Sequence, residues 1–273
     1  MAADVTGEAA NEPPATPDFP SRRVVLLGAS NLTRGISTVV ETAARVWGRP
    51  LDVLAALGHG RSYGMASSVL GRTLPGILQC GLWPALERRP SAPTAALLTD
   101  IGNDLFYGAP VEQISEWIER CLDRLARCDA RTIVTRLPVC NLPHVRPWQY
   151  AVMRRALFPS CRLTLDEVSE RACELDERIV RLAHERNCRL LEPRAEWYGF
   201  DPIHVKLRHW SRAWRELLGA WNEANDDDAS RASLSRWLYL RRCAPERVAR
   251  FGIERRRAQP SGRLDDGTLI SFF

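Results

Sequence analysis

Four apolar residues, Val24-Val25-Leu26-Leu27, break into Gly28-Ala29-Ser30-Asn31, and this stretch most narrows what the chain can fold into. An apolar run of that length with no polar alternation reads as a strand buried on both faces, the signature of a parallel sheet. Beyond it, Ile36, Val39, Val40, Ala43 and Ala44 carry helical spacing over residues 33–46. Ser30 therefore stands where a first strand ends and a first helix begins. In open α/β sheets that carboxyl edge is where ligands bind. A hydroxyl there can be a nucleophile, and its N–H, near a helix start, can stabilise an anion. Taken alone, Ser30 reads more readily as an N-cap than as a nucleophile.

The same alternation continues. Strands are predicted at 51–57, 95–99 and 132–135, with a short fifth at 189–191. Helices are predicted over about 110–127, opened by Pro110, over 165–186 and over 207–221, with a helix and an irregular connection sharing 65–89 around Pro75 and Pro84. Strands alternating with helices at this spacing predict an α/β fold: a parallel sheet with helices on both faces. The stretch 137–164 holds Pro138, Pro143, Pro147 and Pro159 and reads as a long irregular loop. Its aromatic and basic residues make it the candidate lid or substrate wall, with Trp148, Tyr150 and Arg154 as candidate substrate contacts. Residues 1–21, rich in Ala, Pro, Glu and Thr, read as a disordered leader. Residues 22–223 form the expected α/β domain. After the acidic patch Asp226-Asp227-Asp228, residues 224–273 read as an arginine-rich extension with strand-like runs at 237–240 and 268–273.

Composition narrows the class. At 273 residues and 45% hydrophobic, the chain has material for one full core. The net charge of +5 comes almost wholly from arginine, Lys206 being the sole lysine, and it is too mild to argue for nucleic acid. The sequence has no apolar run of membrane-spanning length and no signal-peptide pattern. Its eight cysteines show no C-x-x-C pair, so reduced thiols and a cytoplasmic protein without a structural metal are expected. No membrane partner is expected, and oligomeric state is left open.

Three further motifs fall at predicted strand ends on the Ser30 edge. Gly58-His59-Gly60-Arg61-Ser62 has glycines that let backbone N–H groups approach a ligand. Gly102-Asn103-Asp104 offers a side-chain amide to a developing oxyanion. Asp201-Pro202-Ile203-His204 places a carboxylate where it can hold an imidazole by its Nδ1–H, leaving Nε2 free for a serine proton. Each alone reads as a turn, a cap or a core histidine. Together they compose a nucleophile, a base, an orienting acid and oxyanion donors, the parts of acyl transfer.

This set resembles the SGNH hydrolases, the GDSL-type esterases and lipases. Gly28-Ala29-Ser30 is similar to their first block, Gly60 to their second-block glycine with Gly64 as the alternative, Gly102-Asn103-Asp104 to their third, and Asp201-x-x-His204 to their last. Ala29 stands where the family carries an acidic residue, and Asn103 follows its glycine directly. The resemblance implies a flavodoxin-like three-layer α/β/α sandwich of about five parallel strands and no cofactor. It implies catalysis by Ser30, Asp201 and His204, and an oxyanion hole from Ser30, Gly60 and Asn103. A small-molecule or carbohydrate ester, carrying an O-acyl or O-acetyl group, is the implied substrate.

Other readings compete. The serine does not lie in G-x-S-x-G, which disfavours an ordinary α/β-hydrolase. Gly58-x-Gly60-x-x-x-Gly64 loosely resembles a nucleotide-binding loop, but follows the second strand at the wrong spacing. Asp201, His204 and His209 fit no zinc spacing. An inactive scaffold using the arginine-rich tail for an anionic partner is the non-enzymatic alternative, and transfer of the acyl group to an alcohol would use the same residues.

Overall fold

The computed structural model describes residues 19–222 and 233–273. The expected leader over 1–21 thus falls almost wholly outside the described residues, as do Asp226-Asp227-Asp228 and the 223/224 boundary. In chain order the elements begin β1 (Arg23–Leu27), α1 (Ser30–Trp47), β2 (Asp52–Ala56), β3 (Ser67–Val69), β4 (Arg72–Leu74), α2 (Leu82–Arg88), β5 (Thr94–Leu98), α3 (Asn103–Phe106), α4 (Val111–Ala126) and β6 (Arg131–Thr135). They continue with α5 (Pro147–Leu157), α6 (Leu165–Glu185), β7 (Arg189–Leu191), α7 (Trp210–Gly219), α8 (Leu234–Arg242), β8 (Arg247–Arg250), β9 (Ile253–Arg256), β10 (Gly262–Arg263) and β11 (Leu269–Phe272).

The main sheet has the order β10-β11-β2-β1-β5-β6-β7, parallel throughout except for β10. Although β1 is apolar at nearly every position, its side chains divide with a period of two. Val24 and Leu26 pack with α1, α7 and α8 on one face, and Val25 and Leu27 with α2, α4 and α6 on the other. The result is the three-layer α/β/α sandwich. Its five expected parallel strands are joined by a sixth, β11, drawn from the C-terminal extension. That extension is woven into the sheet: Leu269 to Phe272 pair with Asp52 to Ala55 of β2.

Two local expectations fail and a third is met only in part. The stretch 65–89 holds its expected helix as α2, but the expected irregular connection carries the β3–β4 hairpin, and β4 pairs with β8 in a second, four-stranded sheet of order β3-β4-β8-β9. The expected irregular loop 137–164 contains the helix α5, because Pro147 sits at a first helical position and Pro159 beyond its end. The strand-like run 237–240 is helical and lies in α8.

What positions the site is the order of strands. From β1 the chain steps to β2 on one side and later to β5, β6 and β7 on the other. Leu27, Ala56 and Leu98 lie side by side in register, so the loops after β1, β2 and β5 leave from one level. α1 departs over one face and α4 over the other, opening a crevice between β1 and β5. Tyr63, fully buried, floors it by donating to the carbonyls of Leu27 and Thr99 at 3.2 and 2.8 Å.

Candidate active site

Ser30 is the first residue of α1; the N-cap position belongs to Ala29, whose side chain caps nothing. The capping acceptor comes from across the crevice. Asp100, held at φ +60°, takes the N–H groups of Ala29, Asn31 and Leu32 on one carboxylate oxygen at 2.9, 3.0 and 3.3 Å. Its other oxygen takes the Asn31 amide at 2.8 Å. The N–H of Ser30 itself is skipped and has no acceptor among the described residues. Asn31 then reaches the histidine loop, donating to the Ile203 carbonyl and accepting from the Val205 N–H, both at 2.9 Å. One carboxylate and one amide thus lock the Ser30 turn to the segment that carries His204.

His204 Nε2 lies 2.8 Å from Ser30 Oγ, and His204 Nδ1 lies 2.5 Å from Asp201 Oδ2. The second Asp201 oxygen accepts the N–H groups of Ile203 and His204 at 3.1 and 3.2 Å, fixing the carboxylate in its own turn. Burial acts to raise the Asp201 carboxyl. The hydrogen bond and charge of His204 and the two backbone donors outweigh it and leave the group below the ordinary carboxylate value. His59, across the opening, is pushed below its usual value by burial first. Repulsion from His204, Arg72, Arg34 and Arg241, which give this rim a positive field, adds to the shift.

The Gly60 loop joins the site through the third motif, its Gly60 and Arg61 carbonyls facing the Tyr107 hydroxyl and the Asn103 amide. Gly60 adopts φ +59°, and a Cβ there would lie 2.7 Å from the Tyr107 hydroxyl and 2.8 Å from Val69, so both conformation and space demand glycine. Gly64 is different: its missing side chain makes room for the Trp117 ring, which is a packing role. From Arg61 to Met65 every backbone N–H is spent inside the protein, on Gly58, Ser67, Asp104 and Ser62. No row of free donors remains over 61–65 to cradle a phosphate, which counts against the nucleotide-loop reading. The Gly60 N–H, by contrast, has no acceptor among the described residues. Asn103 sits behind it, its amide making only a long 3.5 Å contact with the Arg61 carbonyl. Asp104, fully buried, accepts from the Ser62 hydroxyl and from the Tyr63 N–H at 2.9 Å, and burial pushes its pKa up to about 6.

Beside Ser30 lies an apolar cavity of about 120 Å³, lined by Asn103, Phe106, Leu137, Leu142, Ile203 and others. It adjoins a smaller one of about 50 Å³ under α5, sharing Phe106, Leu142, Val168, Pro202 and Ile203. Tyr150 and Arg154 line only this second cavity, and each is tied back to its own segment through Leu163 and Cys161. Trp148 is exposed, its ring tilted against that of Phe200, and it does not line Ser30's cavity. The four sequence motifs thus meet in one place, while Asn31 and Asp100 were missed. Nothing local marks them, since their partners lie 68 to 174 residues away.

No protein-family model and no curated protein matches the chain. Among solved structures it is similar to a carbohydrate acetylesterase family member from Sinorhizobium meliloti, with 16% identity, coverage of 72% of this chain and 96% of that one, and a TM-score of 0.48. It is similar to the native M. smegmatis aryl esterase at 13% identity, over 72% and 95% of the two chains, with a TM-score of 0.47. An acetyl xylan esterase, AlAXEase, gives 13% identity over 74% and 100%, with a TM-score of 0.45. Among the described residues no helix is long and apolar enough to cross a membrane, and no cluster of potential metal ligands occurs.

Proposed function

We propose that the chain is a serine esterase of the SGNH type. The observation that carries this reading is the unbroken relay from Asp201 through His204 to Ser30, at 2.5 and 2.8 Å. His204 takes the Ser30 proton through Nε2 as Oγ attacks the ester carbonyl. Asp201 holds Nδ1–H and stabilises the imidazolium. The tetrahedral oxyanion is met by the Ser30 and Gly60 N–H groups and the Asn103 amide, all without strong partners of their own. His204 then protonates the departing alcohol, leaving an acyl group on Ser30. Water, deprotonated by the same nitrogen, releases the acid and restores the serine.

The cavity beside Ser30 supports a particular acyl group. Its 120 Å³ is near the ~150 Å³ of an engineered apolar cavity that accepts benzene, so it exceeds what acetyl needs. A short unbranched or aromatic acyl chain fits its apolar walls, and the cavity under α5 gives longer chains room to extend. The test is labelling with a fluorophosphonate probe, read by intact mass and peptide mapping. One adduct on Ser30, lost in His204→Ala, is expected; a folded wild type that takes no label would refute the activated serine. A series of p-nitrophenyl esters from acetate to octanoate then reads the pocket, with the highest kcat/KM beyond acetate.

A further inference from the structure

Two hairpins stand side by side next to the Gly60 loop. Leu70-Gly71 joins β3 to β4, with Val69 paired to Arg72, and Phe251-Gly252 joins β8 to β9, with Arg250 paired to Ile253. Both loops have two residues with positive φ: +50° and +72° in the first, +49° and +83° in the second. That is the type I′ turn, whose first position favours Asn, Asp or Gly. Here it holds Leu and Phe, which are 96% and 88% exposed, with Ile253 beside them at 65%. The tips also touch. The Phe251 N–H donates to the Gly71 carbonyl at 2.8 Å, and the Phe251 ring lies over Gly71. One exposed leucine needs no explanation, but two adjoining tips that each accept backbone strain to present an apolar side chain to water do.

Directly behind the tips, Arg72 and Arg250 face each other across the β4–β8 pairing. Like charges directly opposite destabilise a sheet. The Nε of Arg72 is enclosed without an acceptor, and neither arginine reaches a carboxylate among the described residues. Glu254, the one acid on these four strands, is occupied by Arg247 and Arg256 at 2.8 and 2.9 Å. The surface is thus a pair of apolar prongs with an uncompensated cationic base.

We propose that Leu70 and Phe251, with the Arg72–Arg250 pair behind them, form a docking surface for an anionic lipid bilayer. The prongs enter the boundary between headgroups and acyl chains, and the guanidinium groups take lipid phosphates, relieving their mutual repulsion. Convex tips favour this occupant, because a bilayer opens around a protruding side chain whereas a folded partner must supply a matching hole. Charge complementarity requires the bilayer to be anionic. Docking of this kind needs no spanning helix. Val69, which precedes the first tip, packs against Gly60, so a docked chain holds the Ser30 crevice beside the lipid surface.

The test is sedimentation of the full chain with vesicles of phosphatidylcholine alone or with one quarter phosphatidylglycerol, at low and high salt. Wild type is expected to sediment with the anionic vesicles, less so at high salt. Leu70→Asn with Phe251→Asn is expected to lose at least about tenfold in binding. The melting temperature of that variant holds or rises, since Asn suits the left-handed turn position. Arg72→Gln with Arg250→Gln keeps the prongs and loses about thirtyfold in preference for anionic vesicles. Wild type remaining in the supernatant overturns the proposal, as does equal sedimentation of either double variant. A concentration-dependent dimer that the Asn variant dissociates, without vesicle binding, would assign the tips to contact between copies instead.

Discussion

Asp100→Asn isolates what holds the nucleophile in place. The substitution keeps shape, and Asn, like Asp, tolerates the left-handed conformation found at φ +60°. It removes the charge that gathers three backbone N–H groups on one oxygen and the Asn31 amide on the other. An amide oxygen can keep the backbone donors, but its NH₂ then meets the Asn31 NH₂, donor against donor. Losing one charge-assisted hydrogen bond costs about 1.5–3 kcal/mol, and the other three weaken. A stability loss of about 2–3 kcal/mol follows, or roughly 5–10 °C in melting temperature for a chain of this size. Catalysis suffers separately, because Asn31 is also the tie to Ile203 and Val205 on either side of His204. Slackening it by a fraction of an ångström is expected to lower kcat on p-nitrophenyl butyrate about 10–100-fold with little change in KM. Asp100→Gly separates the contributions, since it relaxes the backbone but deletes the acceptor. It should be no more stable than the Asn variant. An Asp100→Asn protein that melts within a degree of wild type and turns over within twofold would refute the lock.

Ser30→Ala and His204→Ala are expected to abolish ester hydrolysis while leaving circular dichroism and melting behaviour near wild type. Asn103→Ala should cost about 10²–10³ in kcat with KM nearly unchanged, measured by steady-state kinetics. Gly60→Ala places a methyl against Tyr107 and Val69 at positive φ, so it should lower both kcat and melting temperature. The pH dependence of stability is set partly by Asp104, whose folded value of about 6 lies above the unfolded value of about 3.9. Its contribution is fully present below the unfolded value and lost as pH rises through 6. Between pH 7.5 and pH 5, wild type should therefore gain roughly 1 kcal/mol over Asp104→Asn in urea unfolding.

The sequence made the sheet legible because β1, β2 and β5 are buried on both faces and so read as short apolar runs with no competing period. Three of the four motifs were legible for the same reason, each being anchored to the end of such a run, whereas Asp201-x-x-His204 lies ten residues beyond the half-buried β7 and was legible by its own spacing. Leu70-Gly71 was not, since an apolar residue occupies the turn position where Asn would have announced a hairpin. In α5, prolines at the permitted start and beyond the end masked a helix. In α8, Trp237 to Leu240 mimic a strand, and only packing along α1, where Arg236 meets Glu41 at 2.6 Å, settles the segment as helical. Asp100 and Asn31 lay beyond reach because their meaning exists only once β1 and β5 are neighbours.

The pairing of β11 with β2 sets a timetable for synthesis. Leu269 lies opposite Asp52, so some two hundred residues must leave the ribosome before that edge of β2 finds its partner. Until then β2 presents an apolar strand with unpaired backbone groups, a template for any passing chain. The emerging polypeptide is therefore most prone to aggregate late, when the rest of the sheet can already form. Proteolytic nicks or fusions that disturb the final dozen residues should harm yield far more than their small share of the core would suggest.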